Sequence, residues 1–89
     1  NKMFEKNVGP VTIAGKFCES GDILVRDAEM PSLEQGDVIA IPASGAYCPS
    51  MASNYNLAPR PPIVIVDNGS ARILRRRETY EDLMALDSK

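Results

Sequence analysis

The chain contains no histidine and no tryptophan. Without histidine, it cannot form the Ser–His or Cys–His pairs that activate many catalytic nucleophiles. A zinc site is also disfavoured, because only two cysteines, Cys18 and Cys48, remain as soft ligands and they are far apart in the sequence. Neither G-x-x-x-x-G-K-[ST] nor G-x-G-x-x-G occurs, so the sequence carries no nucleotide-binding fingerprint. These absences leave no metal site and no histidine-based catalysis to predict.

A basic excess and a long apolar run are missing as well. Ten basic residues stand against twelve acidic ones, which gives a formal net charge of -2. This balance argues against a dedicated nucleic-acid-binding protein. No apolar run approaches the roughly 20 residues of a membrane span, and no signal-peptide pattern is visible. Two cysteines do not make a disulfide framework, so we expect reduced thiols and a cytoplasmic location.

The 89 residues suffice for one small domain, with 44% hydrophobic and 25% charged residues as in ordinary globular proteins. A domain of this size buries only roughly 60–65% of the surface of its unfolded chain. The sequence also opens on Asn1 and "NKMF", without a cap or strand signal. We therefore interpret the chain as a piece of a longer protein that needs a partner or a larger parent chain.

Short β-type runs separated by Gly, Pro, Asn and Asp predict a mostly β domain. The first strand is expected over Gly9–Gly15 and the second from Asp22 to Met30. A turn at 35–37 then precedes a predicted strand over Val38–Ile41. The clearest local signal is Asn68-Gly69, a type I′ turn that should join strand Ile63–Asp67 to strand Ala71–Arg76.

Two further segments depart from this β pattern. "TYEDLMAL" predicts a short C-terminal helix, with Thr79 and Asp82 as a capping box and with Leu83 and Leu86 directed at the sheet. The segment 43–62 has no periodicity and predicts a long loop. Loops of this length in small domains are usually functional or disordered, and its tyrosines, cysteine and asparagines favour function.

The stretch "FCESGD" places a thiol beside a carboxylate at the lip of a turn. One interpretation is a small buried Cys18 that ends a strand, with Glu19 exposed. The other is chemical: like-charge repulsion disfavours the thiolate, so the sulfur of Cys18 is a proton donor rather than a nucleophile. Glu19 would then bind a cationic ammonium group, and the pair would suit an amino-acid substrate.

Tyr47 in "SGAY" is open to two interpretations as well. Gly45 and Ala46 allow the backbone to approach a ligand closely, and the Tyr47 hydroxyl is a donor that a phosphate oxygen would accept. Alternatively, Tyr47 covers the core of a β-barrel.

Taken together, "CESGD", "GDVIAIPASGAY", "SMASNYNLAPRP" and "RRRETYEDL" resemble the C-terminal domain of diaminopimelate decarboxylases. These enzymes belong to the alanine-racemase-like class that uses pyridoxal 5′-phosphate (PLP), as do the ornithine decarboxylases. The resemblance covers nearly the whole chain, in order. It implies a small Greek-key β-barrel or sandwich with a short C-terminal helix, and residues 1–89 as a single C-terminal β-domain. The barrel domain that binds most of the PLP would lie outside this chain.

The resemblance also implies roles for individual residues. Cys18 would donate a proton to the substrate α-carbon after CO2 leaves, working across a homodimer interface. Glu19 would bind the amino group at the far, D-configured centre of the substrate. Tyr47 would contact the cofactor phosphate and take part in substrate binding. Tyr55 and Asn56 would line the interface near the site, and no role is assigned to Cys48. Ornithine decarboxylases carry aspartate after this cysteine, so Glu19 favours diaminopimelate.

The family then implies a carboxy-lyase of lysine biosynthesis acting on a small amino acid, with this chain alone inactive. Its β-domain is completed by strands from elsewhere in the enzyme, so the chain by itself is expected to have an exposed sheet edge. Two alternatives stay open: a PLP decarboxylase acting on ornithine, arginine or carboxynorspermidine, and a free-standing β-module that binds a protein or small ligand.

Overall fold

A computed structural model describes residues 1–88. The chain divides into two compact units, Asn1–Ser44 and Gly45–Lys89. Each unit is built on one two-stranded antiparallel sheet, with three short helical turns in the second unit. The prediction of a mostly β chain with a short C-terminal helix is confirmed. No closed barrel is found within residues 1–88, since each sheet has two strands.

The first unit pairs β1 (Gly9–Ala14) with β2 (Ile23–Met30), close to the predicted bounds. Exposure alternates along β1, with Val11 and Ile13 on the less exposed face, as expected for a strand with one covered side. The register shifts between Val11 and Ile13, where β2 contributes an extra residue. Asp27 lies there with φ of 53°, a left-handed conformation that aspartate tolerates better than most residues.

The predicted turn at 35–37 is confirmed, but the strand expected over Val38–Ile41 is wrong. The Asp37 amide donates to the Glu34 carbonyl, and Gly36 takes a φ of 97°. Val38 has no neighbouring strand within the described part of this unit. Its amide instead donates to the side chain of Asn1, so the apolar run stays extended without a ladder.

Asp37 ties this turn to the start of the chain. Its carboxylate accepts hydrogen bonds from the Asn1 side chain at 2.9 Å and from Lys2 at 2.8 Å. The Asn1 bond, followed by the Lys2 bond, holds the pKa of Asp37 well below its ordinary value. The pKa of Lys2 is raised, mainly by its hydrogen bond to Asp37.

The second unit contains the predicted hairpin, with β3 (Ile63–Asp67) joined to β4 (Ser70–Arg75). Asn68 and Gly69 take φ values of 47° and 74°. Two successive positive values are what a type I′ turn requires, and this prediction is confirmed. Before the hairpin, the segment predicted as irregular contains the helix α1 (Cys48–Met51) and a 3-10 helix (Tyr55–Leu57).

The C-terminal helix α2 (Tyr80–Leu83) begins with the predicted capping box. The Thr79 hydroxyl accepts from the Asp82 amide, and the Asp82 carboxylate accepts from the Thr79 amide at 2.8 Å. Arg76 donates twice to that carboxylate, which lowers the pKa of Asp82 below its usual range. The helix is only one turn long, so Leu86 lies beyond it and is 99% exposed. The expected packing of Leu86 on the sheet is therefore wrong.

Neither unit contains a fully buried side chain among residues 1–88. Apolar residues of the second hairpin, such as Val66 and Ile73, are 74% and 66% exposed. Apolar side chains on strands normally gain stability by leaving water. The strands of both units therefore pair without enclosing a hydrophobic core of their own. A chain of 89 residues was expected to bury only a limited share of its surface.

Candidate functional site

The "FCESGD" stretch forms the connection between β1 and β2. The Gly15 amide donates to the Asp22 carbonyl at 2.8 Å, and the Asp22 amide donates to the Glu19 carbonyl at 3.0 Å. The Asp22 carboxylate folds back and accepts from the Phe17 amide at 3.1 Å. Asp22 thus fastens both sides of the turn, and Cys18 and Glu19 lie at its tip.

Gly15 makes this arrangement possible. A Cβ atom at position 15 would overlap the Asp22 carboxylate, so a side chain there has to displace it. Glycine after β1 therefore leaves room for the Asp22 carboxylate in its observed position, and no unusual φ is involved. The sequence analysis did not identify Gly15 or Asp22 as positioning residues, although Gly15 ends the first predicted strand and Asp22 ends "FCESGD".

Gly15→Ala should loosen the turn. Displacing the Asp22 carboxylate removes its bond to the Phe17 amide, and one such bond contributes roughly 0.5–1.5 kcal/mol. We expect amide hydrogen exchange at Phe17 to become about 2- to 10-fold faster, as followed by NMR. Gly45→Ala is the matched control, because a Cβ there meets nothing within 4 Å, and it should leave Phe17 unchanged. Unchanged exchange in Gly15→Ala would reject the role of Asp22.

Cys18 occupies the tip with φ of 53°, in the left-handed region. This conformation costs a non-glycine residue roughly 1–2 kcal/mol and persists where surrounding bonds impose it. The thiol is exposed and forms no disulfide. The interpretation of Cys18 as a small buried residue is therefore wrong, and its side chain is accessible to a ligand.

Glu19 is also exposed, and its carboxylate bends over its own turn. The Gly21 amide donates to Oε2 at 2.7 Å, while the Ser20 hydroxyl lies 3.5 Å from Oε1, at the limit of a hydrogen bond. None of the ion pairs found in residues 1–88 involves Glu19. The nearby Lys16 instead places its ammonium 5.7 Å from the centre of the Phe17 ring. Glu19 thus presents a negative charge that no cation of its own unit neutralises.

Tyr47 belongs to the second unit, whereas Cys18 and Glu19 belong to the first. It is the N-cap residue of α1, and its carbonyl accepts from the Met51 amide at 2.9 Å and the Ser50 hydroxyl at 3.0 Å. The Tyr47 side chain is 75% exposed, so it does not cover a core in its own unit. Its hydroxyl makes no hydrogen bond to residues 1–88 and is available as a donor.

The 3-10 helix carries Tyr55 and Asn56, which were expected near the site. Tyr55 is 53% exposed, and Asn56 takes a φ of 55°. Asparagine is one of the residues that adopt this conformation most readily. The loop thus turns sharply at Asn56 and leaves the Tyr55 ring accessible.

A polar cluster of Asn54, Arg60 and Glu78 closes this loop at its base. The Arg60 guanidinium donates to Glu78 at 2.9 Å and to the Asn54 side chain at 3.0 Å. Glu78 also accepts from the Arg60 amide at 2.8 Å and from Asn54 at 2.6 Å. These bonds, led by the one from the Arg60 amide, lower the pKa of Glu78. Sequence reasoning missed the cluster because its members are up to 24 positions apart.

No group of three or more His, Cys, Asp or Glu side chains within residues 1–88 is arranged to hold a metal ion. No helix of that part is long and apolar enough to cross a membrane. What the first unit does present is a thiol beside an unneutralised carboxylate on a fastened turn.

Residues 2–45, which include that turn, match the family model described as pyridoxal-dependent decarboxylase, C-terminal sheet domain. The chain belongs to this family. Nearly the whole chain is also similar to proteins named diaminopimelate decarboxylase. Identity is 49% with the protein of Bacillus subtilis and 51% with that of Synechocystis, each over 98% of the chain. The Mycobacterium bovis protein is 49% identical over 88% of it.

The chain spans about a fifth of the length of these decarboxylases: 20%, 19% and 18% in the three cases. The resemblance drawn from the four motifs is thereby confirmed. Within this sheet-domain family, Cys18 and Glu19 fall inside the part that the family model covers, and Tyr47 lies just beyond it. The roles of these three residues stay predictions.

Proposed function

We propose that this chain is the C-terminal part of a PLP-dependent diaminopimelate decarboxylase, which converts meso-2,6-diaminopimelate to L-lysine and CO2 in the cytoplasm. The observation that carries the proposal is the exposed pair of Cys18 and Glu19 on a turn fastened by Asp22. The identity of about half the residues to proteins of that name supports it.

The described residues fit a contact with PLP but not its main binding site. The unpartnered Tyr47 hydroxyl suits a phosphate oxygen. Three lysines lie in the described residues. Lys2 is paired with Asp37, Lys16 lies against Phe17 and Lys6 is exposed, so none is a free amine in an apolar pocket that would react with an aldehyde. When bound, PLP supplies the electron sink that makes loss of CO2 from an amino acid possible. The chain's own residues then bind the substrate and move a proton.

Cys18 is the proton donor in this proposal. Departure of CO2 leaves an electron pair on the α-carbon, and the Sγ–H bond breaks as a new C–H bond forms there. The resulting thiolate recovers its proton from solvent, which reaches the exposed side chain.

Glu19 selects the substrate by binding its distant ammonium group. Because meso-diaminopimelate has one centre of each configuration and the product is L-lysine, CO2 leaves from the D centre. The ammonium proposed to bind Glu19 is therefore the one on the L centre, and the expectation of a distant D centre is corrected on this stereochemical ground. A free carboxylate oxygen is available for it, since Oε1 has only the long contact with Ser20. We further propose that two full-length chains form a homodimer in which this turn faces the PLP bound by the other chain.

Tyr47→Phe tests the proposed phosphate contact. Removing the hydroxyl costs one hydrogen bond to a charged group, worth roughly 1.5–3 kcal/mol, so PLP should bind about 10- to 150-fold more weakly. Fluorescence titration of the full-length apoenzyme with PLP measures this change. Tyr80→Phe, which alters another exposed tyrosine, is the control and should bind PLP normally. Equal PLP affinity in the two variants would remove Tyr47 from the site.

The substrate assignment is tested with the full-length protein, PLP and a panel of amino acids. Release of CO2 should be fastest from meso-diaminopimelate. Ornithine, arginine and carboxynorspermidine should be at least about 100-fold lower in kcat/KM, since each carries its distal cation at a different distance from the α-carbon and lacks the second α-amino acid group. Preference for another member of the panel would show that the chain belongs to a different decarboxylase. No decarboxylation of any of them would favour the free-standing β-module.

A further inference from the structure

The cluster of Asn54, Arg60 and Glu78 connects two parts of the second unit that are far apart along the chain. Besides its bonds to Asn54 and Glu78, Arg60 donates from Nε and Nη2 to the Ala52 carbonyl, at 3.2 and 2.9 Å. Ala52 is the C-cap residue of α1. One guanidinium therefore holds the end of this helix and the segment that follows β4.

Tyr47 is the N-cap residue at the opposite end of the same single turn. The Met51 amide and the Ser50 hydroxyl both donate to its carbonyl, so its backbone is bound to the turn whose other end Arg60 holds. A helix of one turn has almost no stability of its own. The orientation of Tyr47 consequently depends on what fixes Ala52.

All three nitrogens of the Arg60 guanidinium donate hydrogen bonds. Nη1 is directed to Asn54 and Glu78, while Nε and Nη2 converge on the Ala52 carbonyl. Glu78 accepts a further bond from the Arg60 amide and donates its own amide to the Arg60 carbonyl at 3.1 Å. A lysine has a single nitrogen and cannot make these contacts at once. The side chains of the pair are 32% and 24% exposed, which shields the bonds in part from solvent.

We infer that Arg60 and Glu78 are positioning residues, which hold α1 so that Tyr47 presents its hydroxyl to the ligand phosphate. This inference rests on the proposed function for the identity of that ligand. The positioning itself rests only on the contacts of the second unit.

The test uses the full-length enzyme with 3-fluorotyrosine incorporated at position 47. In Arg60→Met, the fluorine resonance should shift or broaden, and the PLP dissociation constant should rise roughly tenfold, because misplacing one contact group by an ångström is enough for such a loss. Arg60→Lys should change the resonance and the PLP affinity nearly as much, since a lysine keeps the charge but lacks the three donor nitrogens of the guanidinium. Arg72→Met removes an equal charge from the exposed strand β4 and should change neither reading.

If Arg60→Met does not fold, Asn54→Ala removes only the side-chain links of Asn54 and should move both readings in the same direction by a smaller amount. An unchanged resonance in a folded Arg60 or Asn54 variant overturns the inference, as does an equal change in Arg72→Met. A changed fluorine resonance in the Arg60 variant supports the positioning of Tyr47 whatever the PLP affinity is. If PLP affinity is normal in both the Arg60 variant and Tyr47→Phe, the phosphate contact of the proposed function is rejected while the positioning stands.

Discussion

Cys18→Ala in the full-length decarboxylase should lower kcat about 10²- to 10⁴-fold, the range that a positioned proton donor contributes. PLP should remain bound, because Cys18 lies on a turn and no described contact links it to the groups proposed for cofactor binding. The measurement is CO2 release at saturating meso-diaminopimelate, together with the absorbance of the bound cofactor.

The exposed Cys48 provides the matched control, since it is the other free thiol of the chain. Cys48→Ala should retain normal turnover. Cys18→Gly separates chemistry from folding: glycine adopts the φ of 53° without the penalty paid by cysteine, so this variant should fold well and still lose turnover. Normal turnover in Cys18→Ala would show that another group donates the proton.

Glu19→Gln should raise KM for meso-diaminopimelate about 10- to 150-fold, because a hydrogen bond to a charged group is worth roughly 1.5–3 kcal/mol. A glutamine oxygen still accepts from the Gly21 amide, so the turn keeps its 2.7 Å bond and only the charge is lost. We expect kcat to change much less than KM, since Glu19 contacts the substrate far from the reacting carbon. Steady-state kinetics at pH 7 distinguish the two parameters.

Glu29→Gln, on the exposed side of β2, removes the same charge from the same unit and should leave KM unchanged. Glu19→Asp keeps the charge on a shorter side chain and should give an intermediate KM. If Glu19→Gln and Glu29→Gln behave alike, Glu19 does not bind the distant ammonium group.

The sequence was sufficient where structure depends on neighbouring residues. Asn68 and Gly69 specify the turn of the second hairpin by themselves, and Thr79 with Asp82 specifies the start of α2. The proximity of Cys18 to Glu19 is likewise a matter of adjacency. Their exposure required the structure, because a short apolar stretch beside a turn is compatible with a buried or an accessible thiol.

Features that depend on distant partners were not predictable. Val38–Ile41 has the composition of a strand, but a strand also needs a neighbour, and its first amide bonds to Asn1 instead. The segment 43–62 has no hydrophobic periodicity from which its conformation could be predicted. Its C-terminal part is instead held by the bonds between Arg60 and Glu78, which lies outside the segment. Such contacts across many positions leave no pattern in a single sequence.

The central claim is that this chain completes an active site by presenting Cys18 to PLP bound by another chain. Mixing inactive Cys18→Ala enzyme with an equal amount of full-length enzyme that lacks its PLP-binding lysine tests it most directly. In a two-fold dimer, random exchange leaves about half the molecules mixed, each with one intact site, so activity should recover to about a quarter of the normal value. No recovery, with mixed dimers demonstrated by mass spectrometry, would contradict the claim.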